Sequence, residues 1–137
     1  MKKWFTWFFV LFLLAGLLLA GCALDEGNAG DGEKLDFTVV SPDEIPEELK
    51  SILENNKESE MMMSYKIEDY FYLIRGFGKQ DTGGYSITVN NVSLCEDGIH
   101  LATSLLGPPA GEEIPKEPSC PYVVVKIQYM EKPVIFD

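Results

Sequence analysis

The chain has 137 residues, enough for a single domain, with 22 acidic against 11 basic side chains and a formal net charge of −11. That excess of negative charge repels phosphate backbones and excludes nucleic acid as a partner. No Walker loop, Rossmann fingerprint, paired-histidine motif or Gly-x-Ser-x-Gly elbow occurs, so the sequence points to no enzyme and no cofactor.

Residues 1–22 read MKKWFTWFFVLFLLAGLLLAGC. Lys2 and Lys3 make a positive leader, and Trp4 to Leu18 is apolar, with the length of a signal core rather than of a spanning helix. Leu19-Ala20-Gly21-Cys22 then matches the bacterial lipobox, in which small residues precede a thiol that accepts a diacylglyceryl group. Cleavage before Cys22 leaves it as an acylated N-terminus and, by removing two lysines, takes the net charge to about −13. The chain is thus expected to be a lipoprotein held on the extracytoplasmic face of a membrane. Its expected organisation is a signal peptide over 1–21, an acylated cysteine with a flexible acidic linker over 22–36, and a folded domain over 37–137.

Leu35 to Val40 reads as an opening strand or as the end of the tether. Ser41-Pro42-Asp43-Glu44 resembles a capping box, but Pro46 would fall inside the helix it opens. The pattern favours a helix from about Pro46 to Asn55 with Ile45, Leu49, Ile52 and Leu53 on one face. Met61-Met62-Met63 follows a polar turn and reads as strand and edge filler more than as an adaptable contact patch.

From Asp69 the period becomes two. Tyr70, Tyr72 and Ile74 alternate with Phe71, Leu73 and Arg75, apolar on both sides, as in a strand that is central or covered by the helix. Ile87 and Val89 share a face with Tyr85, whereas Val92 and Leu94 have the opposite parity, so a β-bulge at Asn90-Asn91 is expected. Asp97-Gly98 suits a hairpin turn into Ile99, Leu101 and Thr103. The five prolines between 108 and 121 mark a loop. Tyr122 to Tyr129 is the last clear strand, with Val123, Val125, Ile127 and Tyr129 on one face. The expected fold is α+β: a small, mostly antiparallel sheet of four to five strands with one packed helix.

His100 is the only histidine, and its alternation with Ile99 and Leu101 places it on the solvent face of a strand. A zinc site built from Cys95, His100 and Cys120 matches no standard spacing, so no metal is expected. Cys95 and Cys120 remain as an even pair once Cys22 is acylated, and are a candidate disulfide outside the membrane. Two free thiols are the alternative. The acidic pairs Glu47-Glu48 and Glu112-Glu113 read as solvated faces.

The segment from Ile45 to Ile127 resembles the C-terminal domain of the PrcB family, named for a subunit of a bacterial surface protease complex. The resemblance rests on Ile45-Pro46 with its helix, on Gly78-Lys79-Gln80-Asp81-Thr82-Gly83-Gly84-Tyr85-Ser86-Ile87, and on Pro121-Tyr122-Val123-Val124-Val125-Lys126-Ile127. It implies a non-catalytic extracytoplasmic domain whose partner is a protease or another envelope protein. Thr82, Gly83, Gly84 and Tyr85 form the candidate interaction loop; the ordinary alternative is a tight turn with Tyr85 in the core. This loop also looks like the first loop of chagasin-type protease inhibitors, without the Asn-Pro that precedes it there. A third reading, a ligand-binding envelope lipoprotein, rests on the aromatic residues from Tyr65 to Phe77.

Overall fold

The computed structural model describes residues 32–111 and 113–137. The signal peptide, the lipobox residues Leu19, Ala20 and Gly21, the acylation site Cys22, and most of the expected linker lie outside the described residues. Among the described residues, eight strands and one α-helix form an α+β domain, mostly antiparallel as expected. The strands divide into two four-stranded sheets. In chain order they are β1 (Glu33–Lys34), β2 (Thr38–Val39), β3 (Glu60–Ile67), β4 (Tyr70–Phe77), β5 (Ser86–Cys95), β6 (Gly98–Leu106), β7 (Tyr122–Gln128) and β8 (Val134–Phe136), with helix α1 (Glu47–Asn56) between β2 and β3. One sheet has the order β1-β5-β6-β8 and the other β2-β7-β4-β3.

The first strands cross from one sheet to the other. Glu33 and Lys34 pair with Leu94 and Ser93 of β5, and Thr38 and Val39 pair with Lys126 and Val125 of β7. The linker therefore ends earlier than expected. Glu33 and Lys34 are already paired, and Leu35 packs against the core. The driving force is the same one that orders any strand edge: β5 and β7 each offer a row of backbone donors and acceptors that must be paired.

β4 sits between β7 and β3, and its alternation serves two cores at once. Phe71 and Leu73 face the other sheet, where they meet Val92, Ile99 and Leu101 together with Val123, Val125 and Ile127 of β7. Tyr72 and Ile74 face the opposite way and meet Ile45, Leu49 and Leu53 of the helical segment, with Met61 and Val124. The order of layers is thus helix, sheet, sheet. The helix begins one residue after Pro46, which has the extended backbone that a helix boundary requires. The capping box does not form. Ser41 makes no side-chain cap, and Pro42–Glu44 closes only a short 3-10 turn.

The bulge is found where the parity of the sequence changes. Val89 pairs with Thr103 and Asn91 with Ala102, leaving Asn90 as the extra residue. Asn90 Nδ2 donates to Ser104 Oγ at 2.7 Å across the strands. Because of this insertion Ile87 and Val89 before it, and Val92 and Leu94 after it, all turn to the same core. The hairpin turn itself is Glu96-Asp97, one residue earlier than expected, because Cys95 already pairs with Gly98. The three methionines are ordinary strand residues: Met61 is buried while Met62 points outward. β3 is an eight-residue edge whose exposed Glu60, Ser64 and Lys66 guard it against indiscriminate pairing.

Leu73→Ala is expected to destabilise the domain by about 2–5 kcal/mol, since its side chain is wholly buried. Val39→Ala on the exposed edge should change stability by no more than about 0.5 kcal/mol. Urea midpoints at constant slope distinguish the two outcomes.

Candidate functional site

The expected interaction loop leaves β4 at Phe77 and enters β5 at Ser86. It does not stand alone. Gln80 and Ser119 exchange backbone hydrogen bonds of 2.7 and 3.1 Å, the Gly83 N–H donates to the Pro115 carbonyl at 3.1 Å, and Ser119 Oγ donates to the Thr82 carbonyl at 2.7 Å. Its glycines are required by close approach. A Cβ on Gly83 would lie 2.9 Å from Pro115 Cβ, and one on Gly84, whose φ is +85°, would lie 3.0 Å from Pro108 Cβ. The loop is therefore braced on the proline-rich segment that joins β6 to β7. Tyr85 is half-buried, in neither of the two cores, with its ring beside Gly107. The exposed Leu106 and Ile114 belong to the same end of the molecule. The result is a stiff double loop with an apolar fringe.

In a comparison with protein families, the model of the PrcB C-terminal domain aligns with residues 71–128. The match shows that this segment is similar to the PrcB C-terminal domain family. Searches of the curated proteins and of the solved structures found no match. Within the fold, the PrcB match runs from the start of β4 to the end of β7 and contains the whole double loop. Ile45-Pro46 and the helix, which carried part of the expected resemblance, lie outside it.

Cys95 and Cys120, the candidate disulfide, are not bonded to each other in this structure. Cys95 ends β5, whereas Cys120 follows Ser119, which is bridged to Gln80 shortly before β5 begins. The ten residues of β5 separate the two ends of the sheet by roughly 30 Å of extended chain. Strand order, which sequence spacing does not encode, keeps the thiols apart.

The structure instead gathers a different set around the β5–β6 turn. His100 Nε2 lies 2.7 Å from Asp97 Oδ1, and Nδ1 lies 2.8 Å from Asp137 Oδ2. Cys95 Sγ joins them, all three donor atoms of Cys95, Asp97 and His100 falling within 4.8 Å of one another. His100 is on the face expected for it, but only a fifth of its side chain is exposed, because the two carboxylates flank the ring. Asp97 first and Asp137 second hold the His100 pKa above the ordinary 6.5, and the same bond to His100 holds Asp97 below its ordinary 3.8. Asp137 reaches the ring because β8 runs parallel to β6, with His100 opposite Ile135 and the Asp137 N–H bonded to the Leu101 carbonyl. Gly98 admits the chain leading into β8: a Cβ there would lie 2.4 Å from the Pro133 carbonyl oxygen. No sequence periodicity signals this cluster. Only the short interval Cys95-Glu96-Asp97-Gly98-Ile99-His100, folded across a two-residue turn, could have done so.

Most of the aromatic run from Tyr65 to Phe77 serves the cores. Tyr70 is its exposed member, with the Lys126 ammonium 3.9 Å from its ring centre. A shallow cleft of about 410 Å³ lies beside it, lined among others by Phe37, Tyr72 and Asp36.

Two outcomes follow. In non-reducing denaturant, Cys120 should be fully alkylated, and reductant should add no further label at that position. In buffer containing EDTA, the stability difference between the wild type and His100→Gln should depend on pH. The share from His100 is complete below about 6.5 and fades as pH rises through its raised pKa. The share from Asp97 is present above about 3.8 and fades as pH falls through its lowered pKa. The difference in urea midpoint should therefore be largest between about pH 4 and 6.5 and shrink on either side.

Proposed function

We propose that this protein is a lipid-anchored, extracytoplasmic binding module that associates with a protease as a non-catalytic adaptor or stability subunit. The observation that carries this reading is the family match over the segment holding the braced double loop. The leader supports the compartment: positive n-region, apolar core and lipobox precede Cys22 in the order lipoprotein processing needs. Among the described residues no helix is long and apolar enough to cross a membrane, so acyl chains on Cys22 are the attachment in this reading.

The double loop suits a protein partner for a physical reason. Loops held by backbone hydrogen bonds and proline contacts lose little freedom when a partner docks, which lowers the cost of association. Tyr85, Leu106 and Ile114 supply apolar contact area at the same end, and an amphipathic tyrosine suits such a surface. The acidic surface favours a partner with basic character, through steering more than through affinity.

An inhibitor role uses the same loop and is distinguished by its effect. An inhibitor blocks turnover of a secreted protease, whereas an adaptor leaves turnover intact and prolongs the lifetime of its partner. A small-ligand role is the weaker reading, because the aromatics that motivated it are largely spent on packing.

Crosslinking on intact cells followed by capture of the mature lipoprotein is expected to recover a secreted or envelope protease. Ile114→Asp, placed on the exposed loop, should reduce that recovery about tenfold without changing the circular dichroism spectrum. Recovery of no protease from cells in repeated captures would overturn the reading. Cys22→Ser should abolish palmitate labelling and release the chain from the membrane fraction.

A further inference from the structure

We propose that the tip of the β5–β6 hairpin is a binding site for a zinc-class divalent cation, held by Cys95 Sγ, an Asp97 carboxylate oxygen and His100 Nε2. The site is independent of the braced double loop, and the family match names no function for it.

Geometry brings the donors together. His100 on β6 lies opposite Ser93 on β5, and Cys95 is two residues beyond Ser93. In an antiparallel pair these side chains share a face, so the thiol and the imidazole both stand on the outer side of the sheet, with the turn residue Asp97 folded between them. The three donor atoms already lie within 4.8 Å of one another. Tetrahedral ligands at zinc distances sit roughly 3.3–3.7 Å apart, so adjustment of about an ångström suffices. Asp97 is the most exposed of the three, so its carboxylate has room to adjust.

The surroundings are those that a metal-binding histidine and thiolate need. Asp137 Oδ2 accepts the Nδ1–H of His100 at 2.8 Å, which leaves Nε2 directed at Cys95 and Asp97. A carboxylate behind an imidazole is the common means of fixing its tautomer and raising its basicity toward a metal. Ser93 Oγ lies 3.7 Å from Cys95 Sγ and itself accepts from Asn91 Nδ2 at 3.1 Å. A mixed sulfur, nitrogen and oxygen set prefers zinc-like ions to calcium or magnesium, which take oxygen ligands. Three protein donors leave a fourth position, which at this exposed tip a water molecule fills.

Binding is an exchange of protons for a cation. The Cys95 thiol releases one proton to solvent and the His100 imidazolium releases the one on Nε2. The 2.7 Å bond between His100 and Asp97 opens, and each of the three donors gives a lone pair to the ion. No redox step is involved. The Asp97–His100–Asp137 clasp is the proton-loaded form of the same site, and the metal-loaded form keeps its Asp137 half.

The test is titration of the detergent-solubilised mature lipoprotein with Zn²⁺ in competition with a chromogenic chelator, and with Co²⁺ followed by absorption. The expected result is one ion per chain, proton release on binding, and a thiolate-to-cobalt charge-transfer band. Cys95→Ser should remove the band, and His100→Gln should weaken binding at least about tenfold. Asp137→Asn, which removes no ligand, should weaken binding by about 10–100-fold while keeping the band. Cys120→Ser should change nothing. Absence of stoichiometric binding, absence of the cobalt band in the wild type, or loss of binding in Cys120→Ser would each overturn the proposal. The wild-type spectrum decides even if a variant fails to fold.

Discussion

The two-sided burial of β4 is the constraint on which this structure depends. Leu73 and Ile74 are neighbours in the chain, point to opposite faces, and are both fully excluded from water. A strand buried on both faces cannot slip by one residue without sending one core's side chains into the other, so its register is set by packing alone. β3 and β7 take their registers from it. The helix is then held by the face that Tyr72, Ile74 and Val124 present, and the second sheet by the face of Phe71, Leu73 and Val125. Each large apolar side chain so buried contributes about 1.5–3 kcal/mol relative to exposure.

The rigidity of β4 is passed to the loop that follows it. Arg75 is held at the end of the strand by a 2.8 Å ion pair with Glu60, a hydrogen bond to the Gly76 carbonyl and a stacking contact with Phe77. Immediately beyond, Gln80 bridges to Ser119 and Gly83 bonds to Pro115. A loop that starts from an immobile strand and is pinned twice to a proline-rich neighbour presents one surface rather than an ensemble of them. That property is what a docking surface requires, and it follows from backbone bonds that the glycines make room for.

The opposite end of the domain is organised by charge. One imidazole between two carboxylates joins the β5–β6 hairpin to β8, the one parallel pairing in the molecule as described. Both partners are substantially exposed, so solvent screens the pairs and their contribution to stability is modest. Their larger effect is positional. They hold His100 and Asp97 in register beside Cys95, where nothing in the hydrophobic pattern would have placed them.

The strands, the helix and the bulge were legible in the sequence because each leaves a local periodic trace. Ile45, Leu49 and Leu53 recur at helical spacing, β4 alternates on both faces, and the parity change at Asn90-Asn91 can only be reconciled by an inserted residue. The division into two sheets, the crossing of the opening segment at Leu35, and the parallel seat of β8 left no such trace. The cysteines show the same limit. An even count suggested a bridge between Cys95 and Cys120, yet strand order puts those thiols at opposite ends of a sheet and gives Cys95 an aspartate and a histidine for company. What the sequence determined by itself is which residues prefer strand, helix or water, since that depends only on neighbours along the chain. Which strands lie beside which, and so which polar side chains meet at a turn, was decided by tertiary packing, because those contacts join residues whose separation along the chain carries no periodic signal.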